Sequence, residues 1–193
     1  MDLVSDSVGF WNILFMDLVA YSQKSAGEQR NAITWLTKAV AGSKVLASQP
    51  KPRTIYLPTG DGMAICFDSR PEITLELASE LHRRYGKDRT QLRIGICSGV
   101  AFDIEDINGR PNLAGSGLNL AQRLLDCCNP GQILVSDALG EDLRQMKKWR
   151  RQLHGPYRFK VKHGQRVEAL NFFDPAKRIG NRPAPRANRT GPR

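Results

Sequence analysis

Trp11-Asn12-Ile13-Leu14-Phe15-Met16-Asp17-Leu18 is a nearly unbroken apolar octet with a carboxylate near its end. A run this short and this apolar reads as a strand covered on both faces of a sheet. Working outward, residues from about Glu28 to Leu46 set Ile33, Leu36, Ala39 and Val40 on one helical face. Two strand-like arms follow, Arg53 to Tyr56 and Met63 to Phe67, around the hairpin-turn composition Pro58-Thr59-Gly60-Asp61-Gly62. Pro71 stands where a first helical turn tolerates a missing N–H, and Ile73, Leu77, Leu81 and Tyr85 recur behind it at helical spacing. Leu92 to Cys97 is a further buried strand, closed by Gly99. Strand, helix, hairpin, helix, strand is a split βαβ order. It predicts an α+β domain with a ferredoxin-like core, a mostly antiparallel sheet flanked by helices.

Downstream, Phe102 to Gly117 is rich in Gly, Asn and Pro and reads as irregular. Leu118 to Cys128 is a helix with Leu118, Ala121, Leu125 and Cys128 inward. Pro130-Gly131 turns the chain into a strand at Ile133 to Val135, Ser136 caps another helix, and Tyr157 to Val161 with Val167 to Phe173 form a last hairpin. One domain is expected over residues 1–173. Residues 174–193 hold six basic side chains against Asp174, with four prolines, and read as a basic disordered tail. That tail accounts for half of the net charge of +10, so the body is mildly basic and nucleic acid is not the expected partner. Arg144, Lys147, Lys148, Arg150 and Arg151 read as a solvated helix end.

No apolar run approaches the ~20 residues that span a bilayer, and no basic segment leads into an apolar one at the N-terminus. The cytoplasm is the expected compartment, with no membrane partner. Cys66, Cys97, Cys127 and Cys128 lack metal-ligand spacing and read as reduced, mostly buried thiols. Three scattered histidines argue against zinc.

Two carboxylates stand where folding alone would not place them. Asp17 closes the apolar run and Asp61 sits in the hairpin turn. Each has an ordinary reading, as a cap and as a turn residue respectively. In a split βαβ core the first strand neighbours the hairpin, so the pair meets at one end of the sheet. Paired hard oxygens there suit Mg²⁺ or Mn²⁺ carrying a phosphate substrate. A third segment, Gly115-Ser116-Gly117-Leu118-Asn119-Leu120-Ala121-Gln122-Arg123, puts Asn119 and Arg123 on one helical face. An amide and a guanidinium so placed can orient a ribose and neutralise a phosphoryl group in transfer. Taken alone, this is also an ordinary amphipathic helix.

Phe15-Met16-Asp17-Leu18-Val19-Ala20-Tyr21-Ser22 resembles the first metal motif of the class III nucleotidyl cyclases, and Thr59-Gly60-Asp61-Gly62 the second. Leu92-Arg93-Ile94-Gly95-Ile96-Cys97-Ser98-Gly99 is similar to their central strand. Gly115 to Arg123 resembles the helix of their transition-state Asn and Arg. Asn129-Pro130-Gly131-Gln132-Ile133-Leu134-Val135-Ser136 is similar to the turn and strand that follow. The likeness runs in order from Trp11 to Phe173.

The resemblance implies a homodimer with active sites shared between head-to-tail copies. Asp17, Asp61 and the backbone of Leu18 would hold two divalent ions, Mn²⁺ or Mg²⁺, and the backbone of Leu18, Val19, Ala20, Tyr21 and Ser22 would cradle a triphosphate. Asn119 and Arg123 would come from the second copy, with Lys162 (or its competitor Lys160) on the triphosphate. Leu57 and Asn112 occupy the family's base-reading positions and are not of the adenine-reading type. Tyr56-Leu57-Pro58-Thr59-Gly60-Asp61 is similar instead to the motif of the uridylate cyclases of the bacterial Pycsar anti-phage system, small catalytic units without a fused sensor. Tyr56 and Asn112 are then the expected base contacts, UTP the substrate, and cyclic UMP a messenger to a separate effector. Cytidylate, adenylate or guanylate cyclisation is the alternative within the fold; a catalytically dead cyclase-like subunit and a ferredoxin-like RNA-binding module are those beyond it.

Overall fold

β1 (Val8–Leu18) lies inside the sheet, and from Trp11 to Leu18 its apolar residues are largely covered on both faces. The computed structural model describes residues 8–48, 53–84, 92–161 and 166–181. β1 pairs antiparallel with β3 (Gly62–Asp68) on one side and β4 (Leu92–Glu105) on the other. The full order is β2-β3-β1-β4-β6-β8-β7, with β5 paired to the far end of β4. The remaining strands are β2 (Arg53–Pro58), β5 (Pro111–Ala114), β6 (Ile133–Ser136), β7 (Leu153–Lys160) and β8 (Arg166–Phe172). β4 and β6 run parallel, and the other pairs are antiparallel. The expected α+β architecture is the one observed.

Alternation along β1 divides the core into two layers. Leu14, Met16 and Leu18 join a layer with Leu36 of α1 (Ala26–Ala41), Leu77 of α3 (Glu72–Arg84) and Leu143 of α5 (Asp137–Arg144). Trp11 and Ile13 face the other way, onto Ala121 and Leu124 of α4 (Ser116–Cys127). α4 lies almost on the sheet because Gly95 of β4 offers no side chain beneath it. Among the described residues no helix is long and apolar enough to cross a membrane.

Four expectations shift. The long helix over Glu28 to Leu46 is two: α1 ends at Gly42, and Ser43 caps the short α2 (Lys44–Ala47). Buried Glu80 of α3 fixes that break, accepting from Ser43 Oγ and from the N–H groups of Lys44 and Val45 at 2.5–3.0 Å. The stretch Phe102 to Gly117 is not irregular. β4 continues to Glu105 and returns as β5, through a turn in which Asp106 Oδ1 accepts from the N–H groups of Asn108 and Arg110. The basic cluster after α5 is partly structural, since Arg144 donates to the carbonyls of Leu153 and Gly155. The domain also continues past residue 173: Asp174 bridges Ile179, Ile179 is buried, and Asn181 Nδ2 donates to the Pro130 carbonyl. Residues 182–193 lie outside the described residues.

The cysteines fit their reading. All four are free, and burial pushes the thiols of Cys66 and Cys97 up to about 12 and of Cys127 up to about 11.

Gly95→Ala would set a Cβ 2.5 Å from the Ala121 carbonyl oxygen and 2.6 Å from the Leu125 nitrogen. Displacing α4 should cost about 2 kcal/mol, read as a lower urea midpoint with unchanged slope. An unchanged midpoint would mean that α4 has room to move.

Candidate active site

Asp17 stands at the end of β1 opposite Gly62 of β3 and Arg93 of β4. A Cβ at Gly62 would overlap the Met16 carbonyl, so glycine there lets the β2–β3 turn close onto β1. Leu18 N donates to the Asp61 carbonyl at 3.0 Å and seals that junction. The two predicted carboxylates are thereby brought together at one end of the sheet, close enough for Asp61 to act on the charge of Asp17.

Arg93 takes both oxygens of Asp17. Its Nε donates to Oδ1 at 2.8 Å and its Nη2 to Oδ2. Burial raises the Asp17 carboxyl above the ordinary carboxylate range; Arg93 opposes that rise, and Asp61 and Asp126 of α4 add to it. Asp61 is half-buried, and among the described residues its carboxylate makes no hydrogen bond or ion pair.

Beyond Leu18 the chain turns through Ala20, held in the left-handed region at φ 54°, into one 3-10 turn over Tyr21–Gln23. A helix start leaves its first N–H groups without an intrahelical acceptor, which here are those of Tyr21 and Ser22. Gln29 of α1 holds this loop, donating to the carbonyls of Tyr21 and Lys24 at 3.2 and 3.1 Å.

Other predicted residues lie elsewhere. α4 begins beside Ile13 and Gly99, since a Cβ on Gly117 would touch both. The helix starts four residues along β1 from Asp17, roughly 13 Å, and runs back toward it, with Ala121 and Leu125 over Gly95. Asn119 is exposed and Arg123 half-buried, and among the described residues neither side chain makes a hydrogen bond. The α4 residue that reaches Asp17 electrostatically is Asp126. Tyr56 pairs with Ile65 and lines a cavity of about 600 Å³ with Leu36, Val40 and Met63, on the face opposite Asp17; Leu57 shares the Asp17 face. Asn112 is half-buried on β5, its Oδ1 accepting from Leu113 N at 2.7 Å. Lys160 is exposed at the end of β7, and Lys162 lies outside the described residues.

Sequence reasoning gave Arg93 no role, although a guanidinium inside Leu92-Arg93-Ile94-Gly95-Ile96 was a signal of the same kind as Asp17.

The donor chemistry fits a small hard cation. Among the described residues no group of three or more His, Cys, Asp or Glu could hold a metal. Two carboxylates suffice for Mg²⁺ or Mn²⁺ when phosphate oxygens and water complete the shell.

No protein-family model matches the chain, and no curated protein matches it in sequence. Solved structures do match. The catalytic core of a rhodopsin-guanylyl cyclase with converted specificity, in complex with ATPαS, superposes with a TM-score of 0.70 at 16% identity, over 88% of this chain and 98% of that one. The guanylate cyclase domain of RhGC from Catenaria anguillulae, in complex with GTP, gives 0.68 at 16%, over 86% and 98%. An adenylate/guanylate cyclase/hydrolase from Silicibacter pomeroyi gives 0.65 at 21%, over 88% and 99%. The fold is that of the adenylyl and guanylyl cyclase catalytic domains. On this cyclase fold, Asp17 and Asp61 stand at the sheet end and Asn119 and Arg123 on the helix behind it.

Because burial raises Asp17, the folded chain binds its proton more tightly than the unfolded chain. The stability this contributes is present in acid and lost as pH rises through the raised value. Arg93 limits the loss. Arg93→Met should therefore lower stability by about 3 kcal/mol at pH 7, with a narrower gap from wild type in acid, read by urea unfolding at the two pH values. An equal gap at both pH values would detach the effect of Arg93 from Asp17.

Proposed function

We propose that the protein is a nucleotidyl cyclase, converting a nucleoside triphosphate into its 3′,5′-cyclic monophosphate and pyrophosphate. The observation that carries this reading is the meeting of Asp17 and Asp61 at one sheet end, beside Arg93, on a cyclase fold. In the reaction the ribose 3′-oxygen bonds to the α-phosphorus, the bond to the pyrophosphate oxygen breaks, and the hydroxyl proton leaves to solvent.

Divalent ions held by Asp17, Asp61 and the Leu18 carbonyl would acidify the 3′-hydroxyl and offset charge on the triphosphate. The residues of the chain do the rest. The N–H groups of Tyr21 and Ser22 face the phosphates, in a loop that Gln29 keeps from collapsing. With Asp17 engaged by a metal, Arg93 would be free to offer its charge to the triphosphate. Asn119 and Arg123 would orient the ribose and stabilise the phosphoryl group from a second copy, as the resemblance implies. Lys162 or Lys160 would add charge at the phosphates.

For the base we propose uracil. The support is the Tyr56-to-Asp61 motif together with Leu57, which places no charged group on the carboxylate face to read a purine edge. The product would act through a separate effector, as in the anti-phage systems that the motif resembles. Since Tyr56 faces α1, it would influence base choice through the seating of the hairpin. Tyr56→Ala should then lower kcat and flatten the preference for UTP, and Leu57→Lys should favour ATP.

Incubation with each of the four triphosphates and Mn²⁺ should give mainly cyclic UMP. Asp17→Asn and Asp61→Asn should lower turnover at least ~10³-fold. Mixed Asp61→Asn and Arg123→Ala chains should recover part of the activity. Cyclic CMP as main product would remove only the uracil assignment, and no cyclic product from any triphosphate would remove the enzyme.

A further inference from the structure

The corner between α1 and α2 opens a hollow beside the β2–β3 hairpin. Buried Glu80 holds that corner, accepting from Ser43 Oγ and from the N–H groups of Lys44 and Val45. Burial works against its charge, yet these bonds and the neighbouring Arg84 keep its carboxyl below the ordinary range. The corner is thus fixed by charge-assisted hydrogen bonds. Both helices and the hairpin wall the cavity of about 600 Å³ beside Tyr56, which Ser43 itself lines. Its floor is apolar, with Leu36, Val40 and Met63 all buried. Its rim carries the hydroxyl groups of Thr37, Tyr56 and Thr59, three exposed residues. Among the described residues no charged side chain lines it, although 25% of the sequence is charged. The volume is that of ordinary small-molecule sites, about 300–1,000 Å³.

We propose that this cavity binds a neutral, largely apolar small molecule with one hydroxyl or carbonyl end, and that its occupancy sets the seating of the hairpin carrying Asp61. Only the consequence for turnover rests on the cyclase reading above; binding and seating do not. The lining chooses the class. A phosphate or carboxylate would find no cation there and an ammonium no anion, and a buried charge without a partner is costly. Nucleotides are set aside on that ground, and the cavity lies on the sheet face opposite Asp17. The floor favours hydrocarbon or a ring system, and the rim hydroxyls can pair with one neutral polar group. The hairpin supplies the coupling. Tyr56, Pro58, Thr59 and Gly62 line the cavity, and Gly62 lies against the Met16 carbonyl. Thr59 N donates to the Gly62 carbonyl and Leu18 N to the Asp61 carbonyl, each at 3.0 Å. An occupant therefore touches a wall fixed by Glu80 on one side and the turn bearing Asp61 on the other. Its differential contacts with that turn select one seating of the hairpin.

Titration of the full chain with Nile red, a neutral apolar fluorophore, tests this. Binding should be saturable, and decanol should displace the dye where decanoate and decylammonium do not. Thr37→Phe with Ala47→Phe fills the cavity from two exposed helix positions. The pair should weaken Nile red binding by about tenfold or more, with circular dichroism and urea midpoint kept, and either substitution alone should weaken it in the same direction. Asn31→Phe, exposed on α1 and outside the lining, should bind as wild type. Decanol should also slow amide hydrogen exchange at Leu18 and Thr59 in the wild type and not in the filled variant. No saturable binding, binding kept in the filled variant, or equal displacement by the charged analogues would overturn the site. Exchange at Leu18 and Thr59 untouched by bound decanol would overturn the coupling. Binding and exchange are read without turnover. Nile red bound in the cavity of a protein making no cyclic nucleotide would keep this site and remove the enzyme reading, and a cyclase that binds no dye would do the reverse.

Discussion

Everything at the candidate site depends on the antiparallel register of β1 between β3 and β4. That register puts Asp17 across from Gly62 and Arg93 at once. A one-residue slip would turn Asp17 from the α4 face into the layer of α1, α3 and α5, because strand side chains alternate with period two. The register is fixed by apolar residues on both faces, Leu14 and Met16 against one helical layer and Trp11 and Ile13 against the other. The core therefore determines where the carboxylate points. The burial that secures β1 also strains the charge it bears, raising the Asp17 carboxyl until a counter-cation is needed. In this structure the counter-cation is Arg93. On the proposed cyclase reading a divalent metal would play the same part.

Much of this was legible in the sequence. The octet that carries Asp17, the Pro-Thr-Gly-Asp-Gly turn and Pro71 before α3 each state a local rule that the fold obeys. The break between α1 and α2 was not legible, because it depends on Glu80, thirty-seven residues from the Ser43 it binds. The return of β4 as β5 was hidden for a related reason. Gly and Asn marked its turn correctly, but its exposed apolar face has no core partner to give it a recognisable pattern. Ile179 and Asn181 anchor a segment whose composition suggested a tail, and two specific contacts outweighed that composition.

The site was half legible. Asp17 and Asp61 meet as their spacing and topology required. Arg93 went unassigned because its role appears only across the β1–β4 ladder. Tyr56 could be read as a motif residue but not as a facing one, since its side depends on the pairing of β2 with β3. Asn119 and Arg123 make no side-chain hydrogen bond among the described residues, so their part was legible as a motif and not as a contact.

A crystal structure with Mn²⁺ and a 3′-deoxy nucleoside triphosphate, which binds but cannot cyclise, tests this account most directly. The account predicts manganese anomalous density in contact with both Asp17 and Asp61, with Arg93 turned from Asp17 toward phosphate and Asn119 of a second copy at the ribose. Triphosphate bound elsewhere, with the Arg93–Asp17 pair intact and no metal between the carboxylates, would contradict it.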